Sequence, residues 1–156
     1  AQGRPQGHPR IIIFGLGRYG SRLLQQLAAA RLPVLGVDFD PEAVRTLRRS
    51  KLPVRFGDGE DPSFLESLPL QHAEWVVTSF PQWEANRAFL HALKHAGFQG
   101  KIAGVVRDDQ HGKALDAAGV ARVLNPFTDA ADFAARSLID ELGSTPRPPT
   151  DYAARR

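Results

Sequence analysis

Three glycines, Gly15, Gly17 and Gly20, and a later acid, Asp38, are the residues of this chain whose types and spacing best suit chemistry. The triplet follows the apolar run Arg-Ile-Ile-Ile-Phe at 10–14 and opens a segment with apolar residues at helical spacing. In a strand–turn–helix, the first glycine of G-x-G-x-x-G makes the tight turn and the second lets backbone N–H groups approach a pyrophosphate. The third lets the helix close on the sheet. The helix start then presents free N–H donors and its positive dipole end to the anion. Leu16, Arg18 and Tyr19 fill the turn, and Arg18 is placed either to count phosphates as a forked donor or to lie solvated at a helix start. Asp38 stands roughly twenty residues past the turn, ending a second apolar run, where a carboxylate accepts both ribose hydroxyls of an adenosine. The same charge repels a 2′-phosphate, so NADP is disfavoured. Gly15 and Gly20 also have the spacing of a P-loop, but Ser21-Arg22 replaces the Lys-Ser/Thr that such a loop requires.

The elements that must position these groups follow from the periodicity. Strands are expected at 10–14, 33–38, 53–56, 74–78, 101–106 and 120–124. Helices are expected at about 18–31, 41–51, after Pro62, 81–97, 109–118 and 127–142. Asp40-Pro41-Glu42 reads as a helix cap followed by proline at the first helical position, which leaves Asp38 for a ligand. The alternation predicts an α/β fold, a Rossmann-like doubly wound parallel six-stranded sheet with helices on both faces. Ligands in such sheets bind beyond the carboxyl ends of the strands. Phe39 beside Asp38, Gly57, Asp58 and Gly59 after the third strand, Thr78 and Ser79 after the fourth, and Arg107 after the fifth are therefore candidates. Asp58 approaches an adenine amino group or merely makes a tight turn. Thr78 contacts sugar or phosphate or caps the next helix, and Arg107 reaches a phosphate or pairs with Asp108.

Other chemistry is not supported. There is no cysteine, so disulfides, thiolate metal sites and a cysteine nucleophile are excluded. His91 and His95 have helical metal-ligand spacing but lack the Glu of H-E-x-x-H and share a stripe with Glu84, Arg87 and Lys94, so a solvated helix face is expected. No metal site and no catalytic group is expected. A net charge of +3 comes from scattered basic residues without the continuous stripe that nucleic acid requires. No apolar run approaches the roughly 20 residues of a membrane span. The expected organisation is a leader at 1–9, one domain at 10–142 and a Pro-rich tail at 143–156. The absence of methionine even at position 1 suggests a piece of a longer polypeptide.

Ile-Ile-Ile-Phe-Gly-Leu-Gly-Arg-Tyr-Gly, Val-Asp-Phe-Asp-Pro-Glu, Val-Arg-Phe-Gly-Asp-Gly, Ala73 to Thr78, Ala103 to Arg107 and Gly119 to Pro126 together resemble the RCK/KTN family, the TrkA N-terminal type of domain. The resemblance covers about residues 10 to 142. It implies a non-enzymatic cytoplasmic domain at the membrane's inner face, attached to a potassium channel, potassium-uptake system or cation:proton antiporter. Its regulatory ligand would be NAD(H), AMP, ADP or ATP. It assigns Gly15, Gly17, Arg18 and Gly20 to phosphate, Asp38 to ribose, Asp58 to the adenine side and Thr78 to the cleft. It makes the last helix, Asp129 to Leu142, a homodimer contact. The chain departs from the family at Gly59-Glu60, where Ala-Thr is more usual. Among settings the antiporter is favoured, because a Pro-rich tail follows the last helix directly. The rival reading is the coenzyme-binding half of an NAD-dependent oxidoreductase. Neither Tyr19 nor Tyr152 opens the Tyr-x-x-x-Lys of a short-chain enzyme.

Overall fold

The computed structural model describes residues 7–144. The expected leader (1–9) and tail (143–156) fall largely outside these residues. Six parallel strands form one sheet: β1 (Ile11–Phe14), β2 (Val34–Asp38), β3 (Val54–Phe56), β4 (Trp75–Thr78), β5 (Lys101–Val105) and β6 (Arg122–Leu124), in the order β3-β2-β1-β4-β5-β6. Helices α1 (Arg18–Ala29), α2 (Pro41–Arg49), α3 (Pro62–Glu66), α4 (Trp83–His95) and α5 (Asp109–Ala117) connect them, with a 3-10 turn at Leu70–His72 before β4. The doubly wound α/β fold expected from the alternation is the one observed. The strand order reverses between β1 and β4, which makes the carboxyl end of β1 the switch point.

β1 is central because a β-branched run can be buried on both faces. Its register sets Ile13 beside Gly36 and Val77, and Phe14 beside Val37 and Thr78. Alternating side chains feed two layers. Ile12, Phe14 and Val76 pack with Leu65, Phe89 and Leu93 on one face, while Ile13 and Val77 pack with Leu16, Leu24 and Leu47 on the other. Val106, Leu115 and Val120 form a smaller third cluster under α5. At the opposite, amino end of the sheet Arg10 and Glu74 are ion-paired, and this hydrogen bond and charge hold the Arg10 guanidinium above its ordinary pKa.

Most element bounds fall within one or two residues of expectation, and one shift has a clear local cause. β6 begins at Arg122 rather than 120, because Gly119 at φ +93 and the Val120 N–H bonded to the Leu115 carbonyl still belong to the turn that ends α5. The compact sheet unit ends at Asn125. From Pro126 a second unit begins, which carries helix α6 (Pro126–Ser144). Residues 127–143 of α6 are exposed, including Phe127, Phe133, Leu138, Ile139 and Leu142.

Candidate functional site

The glycine turn leaves β1 through Gly15 at φ +104, a conformation costly for other residues. A Cβ on Gly15 would also collide with the Ser79 side chain, and one on Gly20 would collide with the Gly15 carbonyl. The helix can therefore close on the turn only because both side chains are absent. Gly17 is different: nothing lies within 4 Å of where its Cβ would stand, so the backbone there is open to an approaching group. Gly17 is also the N-cap of α1, and no side chain caps that end or places an acid in its first turn. By contrast α2, α3 and α5 are capped by Asp40, Asp61 and Asp108. The uncapped donors and dipole end of α1 suit an anion.

Asp38 is half-buried at the tip of β2 and is already engaged. Its Oδ2 accepts the Leu16 N–H at 2.7 Å and its Oδ1 accepts the Asp40 N–H at 2.9 Å. Asp40 caps α2 by accepting the Glu42 N–H, as the Asp-Pro-Glu pattern leads one to expect. The carboxylate of Asp38 thus clips the glycine turn to β2, and its remaining lone pairs are what it offers a ligand.

Between these elements lies a cleft of about 120 Å³, lined by Phe14, Gly15, Val37, Asp38, Phe39, Gly57, Gly59, Ser79, Phe80 and Pro81. Six predicted residues line it: Gly15, Asp38, Phe39, Gly57, Gly59 and Ser79. Phe39 is 71% exposed, an apolar ring held at the rim. Leu16 is buried in the sheet core, Tyr19 is half-buried and Arg18 is exposed. Asp58 is exposed and its Oδ1 accepts the Glu60 N–H, the tight-turn role. Thr78 takes neither role considered for it: its hydroxyl is fully buried and donates to Asn86 Oδ1 at 3.1 Å, while α4 is capped at Gln82 without a side-chain bond. Arg107 is exposed, and Asp108 beside it accepts the His111 N–H at 2.7 Å as the cap of α5. His91 and His95 are exposed with rings 4.6 Å apart, and no metal-ligand cluster of three or more exists among the described residues.

Sequence reasoning missed Phe80 and Pro81 as cleft wall, although they follow Ser79 directly. It also missed Asn86 and His111 behind that wall. Asn86 is fully buried, and its Nδ2 donates to the Phe80 carbonyl at 2.8 Å and lies 2.8 Å from His111 Nε2. A polar residue at a buried helical position was the available signal.

Strand order, switch-point turn and acid-tipped second strand define a Rossmann-like α/β domain of the kind built to hold nucleotides. The family is more particular: residues 11–126 match the TrkA-N domain, and the chain belongs to that family. It is 30% identical over 135 residues to the glutathione-regulated potassium-efflux system protein KefC of Cronobacter sakazakii, covering 86% of this chain but 22% of that protein. The chain thus spans about a fifth of the length of such relatives. The fold also matches the NAD(P)-binding domain of an exopolyphosphatase-related protein from Archaeoglobus fulgidus, with TM-score 0.71 and 24% identity, over 88% of this chain and 100% of the other. The AMP-bound Kef CTD of Shewanella denitrificans matches at TM-score 0.66 and 22% identity, over 93% of this chain and 85% of the other.

Proposed function

We propose that this chain is a cytoplasmic regulatory domain that binds an adenine nucleotide and thereby gates an attached potassium transporter, channel or, in the favoured setting, cation:proton antiporter. The observation that carries the reading is the uncapped start of α1, facing the acid-tipped end of β2 across an open glycine. Phosphate oxygens take the α1 N–H groups and the nearby Arg18, and ribose hydroxyls donate to Asp38. The apolar cleft between Phe39 and Phe80 receives a ring. Its size, about 120 Å³ against roughly 300–1,000 Å³ for complete ligand pockets, suits part of a nucleotide, with the remainder lying along the exposed turn.

NAD(H), AMP, ADP and ATP are the candidates; the NAD(P)-binding domain and the AMP-bound Kef CTD of similar fold support an adenine nucleotide in general. NADP is disfavoured by the Asp38 charge. Gating requires only that two arrangements of the attached protein bind the nucleotide unequally, since equal affinity shifts nothing. The chain acts as a homodimer through α6, whose exposed phenylalanines and aliphatic residues at 127–142 suit a second copy. The experiment is mass identification of the nucleotide that co-purifies, followed by titration calorimetry and an assay for hydride transfer. Binding without turnover is expected. Turnover would favour the oxidoreductase reading, and absence of binding at millimolar adenine nucleotide would overturn both.

A further inference from the structure

We infer that His111 is a positioning residue for the cleft wall and makes nucleotide binding sensitive to proton activity, an inference that rests on the nucleotide reading above. The argument begins at Asn86, whose amide orientation is fixed by its partners. The Phe80 carbonyl can only accept, so the amide nitrogen must face it, and Oδ1 is then the atom that takes the Thr78 hydroxyl. The second Nδ2 hydrogen is left for His111 Nε2 at 2.8 Å, and that nitrogen must accept it. The imidazole facing Asn86 is therefore the neutral form with its proton on Nδ1.

A protonated ring has no acceptor to offer. It would turn an N–H toward an N–H₂ inside a part-buried contact, where an unmade hydrogen bond is costly. Asn86 cannot relieve the conflict by flipping, because Oδ1 would then oppose the Phe80 carbonyl. The contact opens instead, and it joins α5 to Asn86 of α4, the residue that holds the Phe80 carbonyl of the loop 79–82. That loop is the cleft wall: Ser79 Oγ donates to the Phe14 carbonyl at 3.0 Å and Phe80 packs on Phe89 with ring centroids 4.9 Å apart. Acid should loosen the wall and weaken the nucleotide, and neutral imidazole should favour it.

The loop itself brings no titratable group. On α5 the charged residues around His111 are Asp108, whose Oδ1 holds the His111 N–H, Asp109 and Lys113; α4 brings Trp83, in a T-shaped contact with ring centroids 6.0 Å apart, and Glu84 and Arg87, which pair with each other at 3.7 Å.

The test is calorimetric titration with NAD, whose pyrophosphate diester keeps its charge in this range, at about pH 8 and about pH 5.5, either side of where imidazoles titrate. Wild type should lose about fivefold or more in affinity on acidification, the scale of an ordinary linkage effect. His111→Gln, whose amide oxygen accepts from Asn86 at either pH, should retain affinity with a flat profile, and His111→Phe should bind weakly at both. A flat wild-type profile, or the same acid loss in His111→Gln, would overturn the inference while leaving nucleotide binding intact. No NAD uptake by wild type at the higher pH would count against the nucleotide reading instead. A ligand-free measurement keeps the two apart and does not depend on the variants folding: imidazole nitrogen shifts should show His111 Nε2 bare at the higher pH, and the protection of the Asn86 side-chain amide, taken relative to the free-amide exchange rate at each pH, should fall on acidification. A proton on Nε2 or unchanged protection would overturn the inference.

Discussion

The carboxylate of Asp38 has one duty in the fold and a second in the proposed function, and they can be separated by measurement. It accepts two backbone N–H groups, from Leu16 and Asp40, and it is the group proposed to meet a ribose. Hydrogen bonds to a charged group contribute about 1.5–3 kcal/mol each in partly buried settings. Asp38→Ala should therefore weaken NAD or AMP binding by about that much or more and also lower unfolding free energy, because the glycine turn loses its clip. Asp38→Asn keeps one acceptor and cannot repel a 2′-phosphate, so calorimetry should show the preference for NAD over NADP shrinking. Unchanged preference would remove Asp38 from the ribose. Arg18, exposed beside the turn, has no such structural duty. Arg18→Ala should leave the melting temperature alone and reduce affinity for ADP more than for adenosine; equal loss for both would show that it does not read phosphate.

Among the elements, β1 and α1 carry the site because their junction has no side chains in the way. Gly20→Ala places a methyl against the Gly15 carbonyl, a backbone atom that cannot swing aside. Overpacking of this kind typically costs about 1–3 kcal/mol. Urea unfolding should show that loss, with nucleotide affinity falling alongside it as α1 is displaced. These elements were legible in the sequence because their determinants are local. A β-branched run, a glycine triplet, and the Asp-Pro-Glu cap each encode their own geometry within a few residues. What was hidden is non-local. Nothing in Val-Asp-Phe-Asp says that Asp38 will receive the N–H of Leu16, 22 positions earlier. Nor does a Thr at the end of β4 announce a bond to Asn86, or Asn86 a meeting with His111 25 positions later. Such contacts come into existence only when the sheet order brings strand tips and helix starts together.

At the scale of the whole molecule, the sheet unit has its own buried core, whereas α6 shows exposed apolar side chains along much of its length. Phe133, Leu138, Ile139 and Leu142 are each at least 60% exposed, an arrangement that normally marks an association surface. A helix with this composition gains its stability from packing rather than propensity, and the occupant proposed above is a second copy of the chain. Leu138→Asp with Ile139→Asp should shift sedimentation from dimer to monomer. The substitutions leave the sheet unit's buried residues untouched, so the melting of that unit and the binding of adenine nucleotide should persist. In an attached transporter the same pair should abolish the response of ion flux to nucleotide, because the response requires two arrangements of a domain pair to differ in affinity. A double variant that remains dimeric would move the interface away from α6, and one that becomes monomeric yet still transmits nucleotide to flux would show that coupling runs through the single domain.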